Sequence, residues 1–266
     1  MQRSQSSSTR VAAVLILILL VVTVVAGFTV LQLPDPVTEQ ARRTNALYLA
    51  TLTISLIVFF GVTAGIIWAI FRYRRQSNDD LPEQIHGSSR LEVIWTVIPI
   101  IVLVGLFIPS LVLLTDLKTP PSDDEVDLTI EAVGHQWWWE FIYPETGVRV
   151  QQTPPNYDDL TPPAMVVPVG ATVLVRVRST DVIHSFSAPQ TLYKIQAIPG
   201  SINEMHFKVE KPGVYYGQCY QFCGLRHSDM LFVLDARSES DYRRWLTETR
   251  RAQGLLDGQK NEATVP

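Results

Sequence analysis

The sequence predicts a membrane-anchored all-β protein, with an N-terminal transmembrane helical hairpin followed by a β-sandwich. Two observations carry this expectation. Uncharged apolar runs long enough to cross a bilayer crowd the first half of the 266 residues, whereas the second half has ordinary polarity. From about residue 116, short alternating or β-branched segments recur between turn signals.

The first apolar run covers residues 11–33 and follows a polar start with Arg3 and Arg10. Its length suits a bilayer span of ~20 residues, while the basic start and the small residues Ala26 and Gly27 also describe a signal peptide. Residues 1–33 therefore read as a signal peptide or a first transmembrane helix. The second run, residues 46–71, is uncharged and ends in Trp68, Phe71, Arg72, Tyr73, Arg74 and Arg75, the pattern of a lipid–water boundary. The third, residues 91–115, carries one charge, Glu92, at its start. Pro99 and Pro109 fall inside it, which membrane helices tolerate. The connecting segment 72–90 holds Arg72, Arg74, Arg75 and Arg90, so it is expected in the cytoplasm. Everything beyond residue 115 then lies outside. Arg42 and Arg43 fall on the outer side and run against this orientation.

Residues 116–127 form a polar, proline-containing linker. A domain over residues 128–236 follows, with strand-like segments at 126–133, 138–143, 164–167, 172–178, 203–208, 213–217 and 230–234. Their spacing suggests a sandwich or barrel. Residues 238–251 read as a short helix with Trp245 and Leu246 as its apolar contacts, followed by a flexible tail, so that 237–266 close the chain. The formal charge of −4 and the lack of basic patches give no reason to expect nucleic acid as a partner.

The chemistry concentrates in residues 217–230, GQCYQFCGLRHSDM. Cys219 and Cys223 are the two cysteines of the chain, so there is no disulfide framework to assign. Their C-x3-C spacing has one residue too many for a redox C-x-x-C. With His227 and Met230 they are spaced so that one loop can aim all four at one centre. His184, in DVIHSF, is a second histidine at the end of the segment VLVRVRSTDVIHSF. Taken alone it could be a core histidine. Thiolate, imidazole and thioether together are a copper ligand set. One cysteine would make a mononuclear site, whereas two thiolates can bridge two coppers, each with one histidine. Structural zinc would leave Met230 without a role.

CYQFCGLRHSDM resembles the copper-binding signature of cytochrome c oxidase subunit II, and DVIHSF the segment with its first histidine. GHQWWWEFIYP resembles the family's aromatic stretch, and LEVIWTVIPI the start of its second conserved transmembrane helix. The resemblance implies a cupredoxin-like sandwich holding a dinuclear copper centre. Cys219 and Cys223 match the bridging thiolates, His184 and His227 the imidazole ligands, Met230 the axial thioether and Gln221 the backbone carbonyl ligand. Trp137 matches the exposed aromatic through which the electron enters from cytochrome c. Read from the residues alone, the run Trp137–Trp139 could equally be packing, with Trp137 and Trp139 on one face of a strand. Glu92 matches a carboxylate near the cytoplasmic mouth of a proton path in subunit I; the alternative is a solvated carboxylate at the membrane edge.

This sequence departs from the family pattern at three places. Many members have glutamate where Gln221 stands, and its side chain helps to bind magnesium at the contact with subunit I. The neutral amide weakens the case for magnesium. Gln196 and Ser201 replace an aspartate and an arginine often found there.

Residues 116–236 hold fifteen acidic and eight basic side chains, which suits a basic cytochrome c as donor. No C-x-x-C-H haem motif occurs, so the donor must be a separate protein or a cytochrome domain on another chain. The implied role is the electron-entry subunit of an oxidase in a bacterial plasma membrane, surrounded by lipid and bound to subunit I and other oxidase subunits. Quinol oxidase subunits lack the copper ligands. Nitrous oxide reductases should be longer and lack the paired anchors. A free-standing tethered copper protein would need neither Glu92 nor the LEVIWTVIPI pattern.

Overall fold

The computed structural model describes residues 31–73, 87–152 and 161–256. Residues 1–35 and 36–266 are separate compact units, and every element below belongs to the second. The expected signal peptide or first helix lies outside the described residues except for its last three positions. Most of the expected cytoplasmic segment, residues 74–86, and the tail, residues 257–266, also lie outside them.

Helix α1 spans Glu39–Arg72 and α2 spans Ser89–Lys118. Both start before their apolar runs. Thr38 caps α1, its Oγ1 accepting from Ala41 N at 3.0 Å, and Glu39 places a carboxylate in the first turn. The polar turns that follow are held by ion pairs: Arg42 with Glu210, and Arg43 with Glu39 and, at 3.1 Å, with Asp116. Each of the two arginines thus has a carboxylate partner at the end of the helix pair that meets the rest of the chain. α2 buries none of its residues, although it is strongly apolar, so its Leu, Ile and Val side chains face a non-aqueous medium or another subunit.

The rest is a sandwich of two five-stranded sheets. One has the order β3-β2-β1-β5-β8, from β1 (Leu128–His135), β2 (Trp138–Tyr143), β3 (Val148–Gln151), β5 (Thr172–Ser179) and β8 (Asn203–Lys208). The other has the order β4-β10-β9-β6-β7, from β4 (Ala164–Pro168), β6 (His184–Ser187), β7 (Ile195–Ala197), β9 (Gly213–Cys219) and β10 (Leu231–Arg237). Alternation puts Trp139, Phe141 and Tyr143 of β2 between the sheets, facing Phe232, Leu234 and Ala236 of β10. Phe186 stacks on Phe232 at 4.4 Å, and both meet Trp139 edge-on. Helix α3 (Glu239–Ala252) is capped by Ser238 and lays Tyr242 and Trp245 against the sandwich, with Trp245 at 5.4 Å from Tyr143.

β3, β6 and β7 were not expected, being four, four and three residues long, too short for an alternation to show. His184 also does not end the strand that precedes it. β5 stops at Ser179, and the chain crosses to the other sheet before His184 opens β6. The crossing turn is held by side chains: Asp181 N donates to Ser179 Oγ at 3.2 Å, and Val182 N to Asp181 Oδ1 at 2.6 Å.

Tyr143 is fully buried, and its hydroxyl bonds both backbone groups of Val166, donating to the carbonyl at 2.9 Å and accepting from N–H at 2.8 Å. Burial raises its pKa well above the ordinary tyrosine value, so it stays neutral. Tyr143→Phe should cost about 1–3 kcal/mol, because it strands buried backbone groups. Thermal unfolding of the full chain in detergent should show a melting temperature several degrees lower; an unchanged value would contradict this account.

Candidate metal centre

β9 ends on Cys219, and the loop returns to β10 through a single turn of helix at His227–Asp229. Cys219 N donates to Met230 O at 3.0 Å and closes this loop at its neck. β6 lies beside β9, with Phe186 opposite Cys219 and Tyr220 N donating to Ser185 O at 3.0 Å. This pairing brings His184 against the cysteine loop although thirty-five residues separate it from Cys219.

The donors expected from the sequence converge. The two sulfurs are 3.9 Å apart. His184 Nδ1 lies 3.9 Å from Cys219 Sγ, and His227 Nδ1 lies 3.5 Å from Cys223 Sγ. Met230 Sδ is 3.9 Å from Cys223 Sγ, and the Gln221 carbonyl is 3.2 Å from Cys219 Sγ. His184, Cys219 and Cys223 each place a donor atom within 4.8 Å of the others, close enough to share an ion. Cys219, Cys223, His184 and Met230 are buried, while His227 is half-buried under the edge of Phe222 at 5.8 Å.

Trp137 joins this group from the other sheet. It is half-buried, and its indole N–H donates to Cys223 O at 3.2 Å. The Gln136 amide donates to the same carbonyl at 2.7 Å. Gly224, at φ +122°, makes the approach possible, since a Cβ there would lie 3.1 Å from the Trp137 indole nitrogen. Trp137 and Trp139 do not share a strand face. His135 pairs with Trp138, so Gln136 and Trp137 form the turn between β1 and β2. Trp138 stacks on His135 at 4.0 Å, and Trp139 is core. Glu92 is not brought to this group. It sits in the first turn of α2, about 40 Å along the helix from the end that meets the sandwich at Tyr193.

Sequence reasoning missed Asp181 and Gln136. Asp181 Oδ1 accepts from His184 Nε2 at 2.8 Å, and its Oδ2 accepts from Gln136 N at 2.7 Å. Its carboxylate therefore selects the tautomer that leaves His184 Nδ1 facing the sulfur. The only signal in the sequence was an aspartate in a turn three residues before the histidine. Burial would raise the Asp181 carboxyl, but the bonds from His184, Val182 and Gln136 hold it below its ordinary value. Burial would lower His184, yet hydrogen bonds with Cys219 and Asp181 hold it above. The cysteines separate. Burial would raise the Cys219 thiol, but bonds with His184 and with backbone groups of Ser185 and Gln221 bring it down to about 7. Burial drives Cys223 up to about 12, helped by the neighbouring charge of Cys219.

Paired apolar helices leading into a β-sandwich with buried sulfur and imidazole at one end define a membrane protein with an extramembrane candidate metal domain. Residues 128–237 match the family described as cytochrome c oxidase subunit II, periplasmic domain, and residues 26–113 match its transmembrane domain. The protein named "Probable cytochrome c oxidase subunit 2" of Rickettsia conorii is 33% identical over 236 residues, covering 85% of this chain and 72% of its own length. Cytochrome c oxidase subunit 2 of Cereibacter sphaeroides is 33% identical over 224 residues, covering 74% of this chain and 72% of its own. The solved periplasmic domain of subunit II of cytochrome oxidase from Bradyrhizobium japonicum is 34% identical, with a TM-score of 0.43, and covers 48% of this chain and 96% of its own. The chain belongs to the cytochrome c oxidase subunit II family, and is thus part of an oxidoreductase complex.

The separation of the two thiols has a direct readout. In the metal-free chain, alkylation of Cys219 should rise as the pH passes about 7 and then level off, while Cys223 keeps climbing toward about 12. Timed labelling with iodoacetamide and peptide mass spectrometry measures both rates; coincident pH profiles would contradict the assignment.

Proposed function

We propose that this chain is the electron-entry subunit of the oxidase, taking electrons from cytochrome c at a dinuclear copper centre and passing them to the haem–copper site of subunit I, where dioxygen is reduced to water and protons are translocated. The observation that carries this reading is the convergence of two cysteine sulfurs, two imidazoles, a thioether and a carbonyl, with neighbouring donor atoms 3.2–3.9 Å apart. That set is soft and sulfur-rich, and suits copper.

Cys219, Cys223, His184 and His227 would hold the two coppers. Met230 and the Gln221 carbonyl would complete the set. Bound there, the pair supplies a one-electron acceptor whose charge is shared over two metals, so little rearrangement accompanies transfer. The protein's part is to hold the donors on a rigid frame, to exclude water by burying Cys219, Cys223, His184 and Met230, and to fix the His184 ring through Asp181. Magnesium, an oxygen-seeking ion, finds little here. Gln221 offers an amide, and the loop carboxylate Asp229 is held by Arg226 at 3.0 Å.

Trp137 is the proposed entry point. It is half-exposed, and its indole is hydrogen-bonded to the backbone of Cys223, a direct link from surface to donor. The acidic excess of the outer domain would steer a basic donor toward it. Glu92 is proposed at the mouth of a proton path, at the opposite end of α2. The membrane is proposed to be a bacterial plasma membrane, and the arginines of residues 72–90 support an orientation with the sandwich outside.

The test is a metal count. The full chain in detergent, loaded with copper, should hold two coppers per chain and show a paramagnetic spectrum split by two equivalent nuclei. One copper per chain, or a preference for zinc, would overturn the dinuclear reading. For Trp137→Phe in the assembled oxidase, that spectrum should persist while electron entry from reduced cytochrome c slows on the order of tenfold or more, as for loss of an interface anchor. Stopped-flow reduction measures this, and wild-type entry rates would remove Trp137 from the path.

A further inference from the structure

The inward-facing residues of β1 shrink along the strand: Leu128, Ile130, Ala132, Gly134. The parallel neighbour β5 ends the same way, with Val173, Val175 and Val177 giving way to Ser179, which lies opposite Gly134. The inward side chains of these two strands therefore shrink toward the end that holds the sulfur cluster. Glycine inside a strand weakens it and commonly marks a place where another group comes close. Here that group is His184, reaching across from the other sheet. A Cβ added to Gly134 would lie 2.9 Å from His184 Cδ2 and 3.2 Å from Cγ, with Trp139 Cζ3 at 3.3 Å.

The strand at this point is not free to yield. Gly134 is paired with Trp139 on one side and Ser179 on the other, and its carbonyl accepts from Thr180 N at 3.2 Å. Trp139, the antiparallel partner, leans over the vacant position and meets the His184 ring edge-on at 6.1 Å. Above, Asp181 holds Nε2 at 2.8 Å. The imidazole is thus confined by a carboxylate at one nitrogen, an indole at its side and bare backbone beneath.

We propose that Gly134 is a positioning residue for His184. The strand backbone is the floor on which the ring rests, and it sets the depth at which Nδ1 faces Cys219 Sγ. Its consequence for function rests on the reading of His184 as a copper ligand, but the contact itself does not.

A double-mutant cycle separates the two. Wild type, Gly134→Ala, His184→Ala and the double variant are prepared as full chains in detergent, free of metal, and unfolded thermally. Gly134→Ala should lower the melting temperature in the wild-type background, and most of that loss should vanish once the ring is removed by His184→Ala. The same loss in both backgrounds would place the conflict at Trp139 or in the strand, and would overturn the proposal. Should Gly134→Ala alone fail to fold, recovery of folding in the double variant supports it and failure there overturns it. Loaded with copper, Gly134→Ala should lose the equivalence of the two nuclei in the paramagnetic spectrum. Val175→Ala, a core change in β5, should lower stability and leave that spectrum alone. An unchanged spectrum in Gly134→Ala would reduce Gly134 to a packing role. A wild-type chain that takes up one copper would defeat the proposed function, and the metal-free cycle would still decide the contact.

Discussion

The carboxylate of Asp181 ties together the parts of the sandwich that matter most. One oxygen accepts from Val182 N and from His184 Nε2, and the other accepts from Gln136 N. The first bond holds the turn that carries the chain from one sheet to the other. The second orients the imidazole that opens β6. The third fixes the turn bearing Trp137, in the opposite sheet. Charge-assisted bonds of this kind are stronger than neutral ones, and the depressed Asp181 pKa keeps the group ionised. Remove the carboxylate and three backbone paths lose their common anchor.

Against that frame the sulfur cluster is a site of electrostatic conflict. Two buried thiols 3.9 Å apart cannot both ionise without a counter-charge. Burial at Cys219 is outweighed by hydrogen bonds with His184 and with backbone groups of Ser185 and Gln221, which bring it to about 7, while burial, and after it the charge of Cys219, drives Cys223 up to about 12. Such an arrangement is poor for stability and well suited to a cation. A bound metal ion would supply the missing positive charge and displace the thiol protons, so its affinity would be coupled to deprotonation. The loop tolerates the conflict because Cys219 N and Met230 O close its neck and Gly224 lets the Gln136–Trp137 turn brace Cys223 O from outside.

Legibility in the sequence followed the range of the interactions. The apolar helices and the Cys219–Met230 loop depend on composition and on spacings of a few residues, so they could be read directly. The long strands β1, β2, β5 and β8 showed their alternation. The short strands β3, β6 and β7 did not, because their place comes from neighbours distant in the chain. His184 was found by its motif, yet its strand was misplaced, since the turn at Asp181 is made by side-chain bonds that no periodicity reveals. The partners of Arg42 and Arg43, Glu210 and Asp116, lie far along the chain and could not be read from spacing. Trp137 stood just before the expected strand 138–143, and its place was left open between an exposed aromatic and packing. It sits in a turn whose position depends on Cys223, eighty-six residues away.

A sandwich carried on two helices could swing about its joint. Several contacts oppose this. The segment before α1 joins the sandwich as a short strand addition, with Val37 N donating to Gln190 O at 3.1 Å and Glu210 N donating to Val37 O at 3.0 Å. Thr38 bridges to Val209, and Val37 and Ala41 are buried. The Arg42–Glu210 and Arg43–Asp116 pairs then link α1 to the sandwich and to the end of α2, where the Tyr193 hydroxyl donates to Leu117 O at 3.2 Å. Exposed ion pairs are individually weak, each worth ~0–1 kcal/mol. Backbone pairing at Val37 is not exposed, and it fixes both position and direction. The ion pairs therefore add little energy of their own, but they act on a joint whose geometry is already set, and together these contacts tie the start of α1 and the end of α2 to the sandwich.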